Sequence, residues 1–309
     1  MAAGAELLTR QFTKEIPKKL FANNDWLMRS KSDDVFVNNN TIELPHSGGL
    51  SDALVDPTSF PLTVETRTDV ATNYQMSVIA NNPVLLTIDE NLTIAYDKRS
   101  SILEEQAKQL MKTVGETALY NWAAGAGLVA NWVVTTGSTR AAAGPSQTGT
   151  RKAITKADLI GMRQKFFTDD INGGQSSEIQ GLAVITPSQY SDLLKISEFV
   201  DGEKYGRSNI PNGVISRAFG FDFYIRSSVV VVDNSQVLKA QGAAGVTTDQ
   251  DAAIFYGPDF VRRAKSGIQV LVDDNKPEYL GGLMNARMRF GAAPARNDNK
   301  GVYLMYEEN

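Results

Sequence analysis

The single histidine of this chain, His46, stands in the loop Pro45-His46-Ser47-Gly48-Gly49, and the 309 residues include no cysteine. One imidazole without a thiol lacks the ligands of a zinc site, and a histidine-dependent triad would have to use this one residue. Asp273-Asp274-Asn275 and Asn297-Asp298-Asn299 gather oxygens. Neither has the ligand spacing or closing glutamate of a calcium loop, so both read as turns. No G-x-x-x-x-G-K-[ST] cradle for phosphates occurs, and the glycines at Gly213 and Gly220 do not form G-x-G-x-x-G. The carboxylate pairs Glu104/Glu105 and Asp169/Asp170 fall on solvated faces or at helix ends, where acidic groups need no catalytic role. The expectation is therefore no catalytic residue, no cofactor and no metal, and a chain that works through contacts.

The elements that would position such contacts are plain. With 42% hydrophobic residues the chain can bury a large core. Its net charge of -4 is too mild for a global attraction to nucleic acid or a membrane. The start, MAAGAELLTRQFTKEIPKKL, lacks the order of a signal peptide, and no window approaches the ~18 apolar residues of a membrane span. A cytoplasmic site of synthesis and folding is expected. From Ser101 to about Ala124, apolar residues recur in steps of three and four (Ile102, Leu103, Ala107, Leu110, Met111, Val114, Ala118, Leu119, Trp122), which predicts a long helix. Ser101 and Glu104 suggest a capping box at its start. A second helix is expected from Thr155, capped with Asp158, and a third at Pro187 after the buried strand Leu182–Ile185. Thr135–Thr150 reads as a surface loop, Gly213–Arg226 as mostly strand, and Pro258–Lys265 as a short helix.

Charge is distributed unevenly. Residues 1–31 carry a net +3, with Arg10, Lys14, Lys18, Lys19, Arg29 and Lys31 against three acids, and Trp26, Leu27 and Met28 are expected to anchor this arm. Thr41–Val70 carries a net -4, with Glu43, Asp52, Asp56, Glu65 and Asp69 against Arg67 alone. Val35–Val37 and Thr41–Leu44 flank Asn38-Asn39-Asn40, a hairpin-like signal. The excursion from Val35 to Asp97 has too few apolar residues to hold itself together and should lie on something else. Arg262, Arg263, Lys265, Arg287, Arg289 and Arg296 make the last part basic. That is either a solvated face or a surface that meets phosphates, and it lacks the interleaved aromatics of a base-stacking platform.

Asn212-Gly-Val-Ile-Ser-Arg-Ala-Phe-Gly-Phe-Asp-Phe-Tyr-Ile-Arg226 resembles a segment of tailed-bacteriophage major capsid proteins with the HK97-like fold. Ala183-Val-Ile-Thr-Pro187 with its following helix is similar to the strand, Pro turn and helix of that family's axial domain. Tyr279-Leu-Gly-Gly-Leu-Met-Asn-Ala-Arg-Met-Arg-Phe-Gly291 and Gly301-Val-Tyr-Leu304 resemble its closing segment. The resemblance spans essentially the whole chain and implies an α+β fold. Its parts would be an N-terminal arm (1–31), an extended β-hairpin loop with its base (32–97), and a peripheral domain with the long spine helix (98–177). An axial domain (178–251) and a return to the peripheral domain with the C-terminal strands (252–309) would follow.

The implied function is a shell of hexamers and pentamers around the double-stranded DNA of a tailed phage, assembled in the bacterial host cytoplasm. The implied partners are further copies of the chain, a separate scaffolding protein, a portal protein, a decoration protein and packaged DNA met by non-specific charge, with no membrane. The scaffold is expected to be separate because a long N-terminal helical extension is missing. The expected inter-subunit contacts are Lys14, Lys18 and Lys19 in the arm, Glu43, His46, Asp52, Asp56 and Arg67 in the hairpin, and Lys204 and Arg207 in the axial loop. No lysine lies between Lys31 and Lys98, so the isopeptide crosslink that some members make from this loop is not expected. An encapsulin-type nanocompartment of the same fold is the alternative; a small-molecule enzyme on a mixed α/β domain is the distant one.

Overall fold

The structure is a computed structural model and describes residues 24–37, 40–48, 53, 55–56, 58, 60–62, 64, 66–87, 98–125, 131–171, 180–196, 217–296, 298 and 300–309. After a 3-10 turn at Asp25–Arg29 come β1 (Lys31–Ser32), β2 (Thr41–His46), β3 (Val70–Gln75), β4 (Ser77–Ala80) and β5 (Val84–Thr87). The long helix α1 (Lys98–Gly125) leads to β6 (Trp132–Val134), β7 (Thr139–Ala141), β8 (Thr150–Lys152) and α2 (Lys156–Thr168). Then follow β9 (Gly181–Ile185), α3 (Pro187–Leu193), β10 (Arg217–Ala218), β11 (Phe221–Ile225), β12 (Val230–Val232) and β13 (Gln250–Tyr256). The chain closes through β14 (Val261–Lys265), β15 (Gln269–Lys276), β16 (Gly281–Pro294) and β17 (Val302–Tyr306).

Two sheets share one core. In the seven-stranded sheet the order is β10-β11-β9-β13-β17-β6, with β12 also on β13. Its central strands are buried on both faces, and their two-residue period divides them between two clusters. Leu182, Val184, Ile254, Tyr256, Val302 and Leu304 face α1 through Leu110, Val114, Ala118 and Trp122. Ala183, Ile185, Phe255, Tyr303 and Met305 face Leu159, Met162 and Phe166 of α2 and Leu193 of α3. Each large side chain so buried contributes about 1.5–3 kcal/mol relative to exposure. The six-stranded sheet is organised on β16, which takes β15 and then β14 along one edge and β5 and then β4 along the other. Met288 and Phe290 of β16 join the same cluster as α1.

Local signals placed many elements as expected. Both sides of the Thr155/Asp158 capping box are made, and Pro187 opens α3, where Thr186 and Gln189 form a second box. Other expectations fail for physical reasons. α1 begins at Lys98, so Ser101 lies inside it and caps nothing; Glu104 bonds Lys108 one turn on, at 2.6 Å. Of the anchor residues Trp26 and Leu27 are buried, while Met28 is exposed. Thr135–Thr150 is not all loop, because β7 and β8 pair as a hairpin. The expected helix at Pro258–Lys265 is a 3-10 turn followed by a strand, since Val261 and Ala264 are buried by pairing with β16. Asn172-Gly173-Gly174, a sequence that suits the end of α2, lies outside the described residues. In the seven-stranded sheet β13 lies between β9 and β17, so strands from both sides of residue 252 share one sheet.

Candidate inter-subunit surface

β2 does not pair across Asn38-Asn39-Asn40 as the local signal suggested; Asp34–Phe36 is a 3-10 turn. Its partner is β3, in register from Thr41 opposite Gln75 to His46 opposite Val70. One face of this ribbon carries Ile42, Leu44 and Tyr74, which pack with Val37 and Met76 and with Ala264 and Ala293 of the six-stranded sheet. Tyr74 donates to Asp33 at 2.9 Å, and Arg262 holds the same carboxylate at 2.7 Å. The base of the excursion is thus fastened to its own body.

Beyond His46 and Val70 the ribbon changes character. Gly48 donates its N–H to Asp69 at 2.8 Å, and the strands run so close that a Cβ on Gly48 would sit 1.9 Å from the Thr68 carbonyl oxygen. Arg67 meets Asp69 at 2.6 Å. The Gly48 N–H first, and Arg67 second, hold the Asp69 carboxyl below its usual range. Farther out, Val55 and Val64 are each 89% exposed and Phe60 74%, with Leu62 beside them. Scattered exposed apolar residues are ordinary, but four on one short excursion with no covering partner among the described residues make it the candidate contact surface.

The expected contact residues divide in three ways. Lys14, Lys18, Lys19, Asp52, Lys204 and Arg207 lie outside the described residues. Glu43 and Asp56 are exposed, Asp56 with a positive φ of 48°. His46 shares the face of Ile42 and Leu44, and its Nε2 is out of water with no hydrogen-bond partner among the described residues. The basic C-terminal residues are engaged within the chain: Arg262 with Asp33, Arg263 with Asp34, Arg287 with Gln269, Arg289 with Asn40 and Arg296 with Asp298.

Among the described residues no group of three or more His, Asp or Glu is placed to hold a metal. A cavity of about 330 Å³ lies between α1 and β12, lined by Glu116, Tyr120, Lys239, Asp249 and Asp251 among others. Its charges are spoken for: Lys239 pairs with Asp249 at 2.5 Å, and Gln147 donates to Asp251 at 2.7 Å.

Sequence reasoning missed a polar joint in α1. Asn24 donates to the Met111 carbonyl at 2.5 Å and Arg226 to the Lys112 carbonyl at 2.9 Å. The two side chains converge on Gly115, where a Cβ would meet Asn24 Oδ1 at 2.4 Å and Arg226 Nη2 at 3.0 Å. A glycine within an otherwise good helix was the available signal.

No protein-family model matches the chain, and no curated protein matches it in sequence. Solved structures do match in fold. The capsid of the cyanophage P-SCSP1u has a TM-score of 0.70 at 17% identity, covering 98% of this chain and 95% of that one. The cyanophage Pam1 capsid gives 0.67 at 11%, covering 99% and 97%. The capsid of a native GTA particle gives 0.65 at 12%, covering 98% and 96%.

Proposed function

From the HK97-like fold that this chain shares with those phage capsid subunits, we infer that it is the major capsid protein of a tailed bacteriophage. Many copies associate as hexamers and pentamers into an icosahedral shell around double-stranded DNA, and the protein acts by assembly rather than catalysis. The observation that carries this reading is the hairpin beyond His46 and Val70, with Val55, Phe60, Leu62 and Val64 facing solvent on an excursion that no other described residue of the chain covers. Burial of such residues against a neighbour supplies what the single chain leaves unused. The basic arm, carrying Lys14, Lys18 and Lys19, is complementary in sign to the acidic hairpin of another copy. A scaffolding protein, a portal, a decoration protein and non-specific DNA contact belong to the same proposal, as does assembly in the host cytoplasm. The encapsulin alternative is not favoured, since the solved structures cited above are phage and GTA capsids.

Negative-stain imaging of the expressed protein, with and without co-expressed scaffold, tests this: closed shells of uniform size are expected. Denaturant should separate them into single chains on a gel, because no lysine occupies the excursion. A lone soluble monomer under both conditions would overturn the assembly reading, and a covalent ladder would overturn the crosslink prediction.

Arg67 is the one basic residue of the acidic hairpin and is half exposed beside Asp69. It remains available to a carboxylate of a neighbouring copy. Arg67→Glu places a third like charge near Asp69 and any such partner, so particle yield should fall several-fold with the monomer's stability little changed. Unchanged yield would refute an interfacial role for Arg67.

A further inference from the structure

Three segments distant in sequence meet at one guanidinium. Arg140 of β7 donates from Nε to Asp192 at 2.6 Å and from Nη2 to Glu307 at 2.5 Å. Asp192 lies in the last turn of α3, and Glu307 directly follows β17. Both carboxylate side chains are 1% exposed, the arginine 15%. Asp251 of β13 also faces Glu307, whose backbone N–H bonds the Asp251 carbonyl at 3.1 Å.

The surrounding charges leave this group short of cations. Lys195 reaches Asp192 at 3.0 Å, but its side chain is mostly in solvent. Asp251 accepts from Gln147 and is faced by Arg140, Arg151 and Asp249, the last of which already holds Lys239. Glu308 pairs outward with Lys152 of β8. Around Glu307 itself, then, one guanidinium serves three buried carboxyls. Lost hydration, reinforced by the like charges of Asp251 and Asp192, pushes the Glu307 carboxyl up to about 7 although Arg140 pulls the other way.

We propose that the Arg140–Asp192–Glu307 node is a proton-linked clasp: with a proton on Glu307 it fastens the β7–β8 hairpin and the carboxy-terminal residues to the end of α3, and loss of that proton loosens them. The sign follows from linkage. Once the hairpin swings away, Glu307 meets water and returns to its ordinary value of 4.5, so opening releases a proton. Between about 4.5 and 7 the opening constant therefore rises with pH, up to about tenfold per unit, and it is flat below and above that window. A clasp held by ion pairing alone would do the opposite and tighten as the carboxylates ionise.

Hydrogen exchange of the full chain at pH 5, 6, 7 and 8, corrected for intrinsic amide rates, reads this directly in peptides covering 139–152 and 302–309. Opening should increase at least tenfold from pH 5 to 7 and then level off. Glu307→Gln, which keeps a neutral acceptor for Arg140, should hold its pH 5 value throughout. Asp251→Asn removes one facing negative charge and should move the rise to lower pH, which keeps the test alive if the glutamine variant does not fold. A flat wild-type profile, opening that falls with pH, an unchanged slope in Glu307→Gln or an unshifted rise in Asp251→Asn would each overturn the clasp. Because exchange is read peptide by peptide, the outcome is independent of whether the chain forms a shell.

Discussion

Trp122→Ala is expected to destabilise the chain by about 3–5 kcal/mol, the range for deleting a fully buried indole. That is a large part of the ~5–15 kcal/mol that holds an ordinary domain together. Trp122 is 0% exposed and stands where four segments meet. Its ring lies edge-on to Trp26 at 5.6 Å and tilted against Tyr256 at 5.1 Å, and its Nε1 donates to the Arg262 carbonyl at 3.0 Å. Tyr256 in turn donates to the Trp26 carbonyl at 3.2 Å. Alanine would therefore leave a cavity and also detach the N-terminal segment, β13 and β14 from α1. Trp122→Phe keeps most of the packing and should lose much less. Chemical denaturation of the purified chain measures both, and an alanine cost below about 1 kcal/mol would show that the indole is not the joint described.

Gly115→Leu should cost about 2–4 kcal/mol despite a gain of about 1 kcal/mol in helix propensity. Forcing side-chain atoms into a filled space costs about 1–3 kcal/mol, and here that space holds Asn24 and Arg226. Arg226 is 2% exposed, and its Nη1 and Nη2 reach the Ser228 and Lys112 carbonyls, both at 2.9 Å. Glu116 approaches it only to 4.0 Å. Burial already disfavours the charged form of Arg226, with Glu116 offsetting part of that, so displacing it from its carbonyls costs about a further 1–3 kcal/mol. The smaller Gly115→Ala isolates the cause. Combined with Asn24→Ala it should recover most of its loss, because the nearest obstruction at 2.4 Å belongs to Asn24. Additive losses in that double-mutant cycle would place the strain elsewhere.

Much of the fold was legible because its signals are local. The Thr155/Asp158 box, Pro187 after Leu182–Ile185, and the apolar steps from Leu110 to Trp122 each depend on residues within a turn or two of one another. The poor stock of catalytic residue types was legible as well, since a single histidine and no cysteine leave little to assemble. The contact candidates were read from segment and charge, and neither says which face a residue takes. His46 shows this: period two places it with Ile42 and Leu44 against the body, while Glu43 points the other way.

By itself, then, the amino-acid order determined the long helix, the doubly buried strands, and the opposite net charges of residues 1–31 and 41–70. These follow from spacing and residue type over short stretches. Only the tertiary structure decided that Thr41–His46 pairs with Val70–Gln75 rather than with its neighbour, that Val261–Lys265 is a strand, and that Arg140 gathers Asp192 and Glu307. Partners so far apart in the chain are chosen by which faces bury apolar area together, a property of the assembled layers that no local window contains.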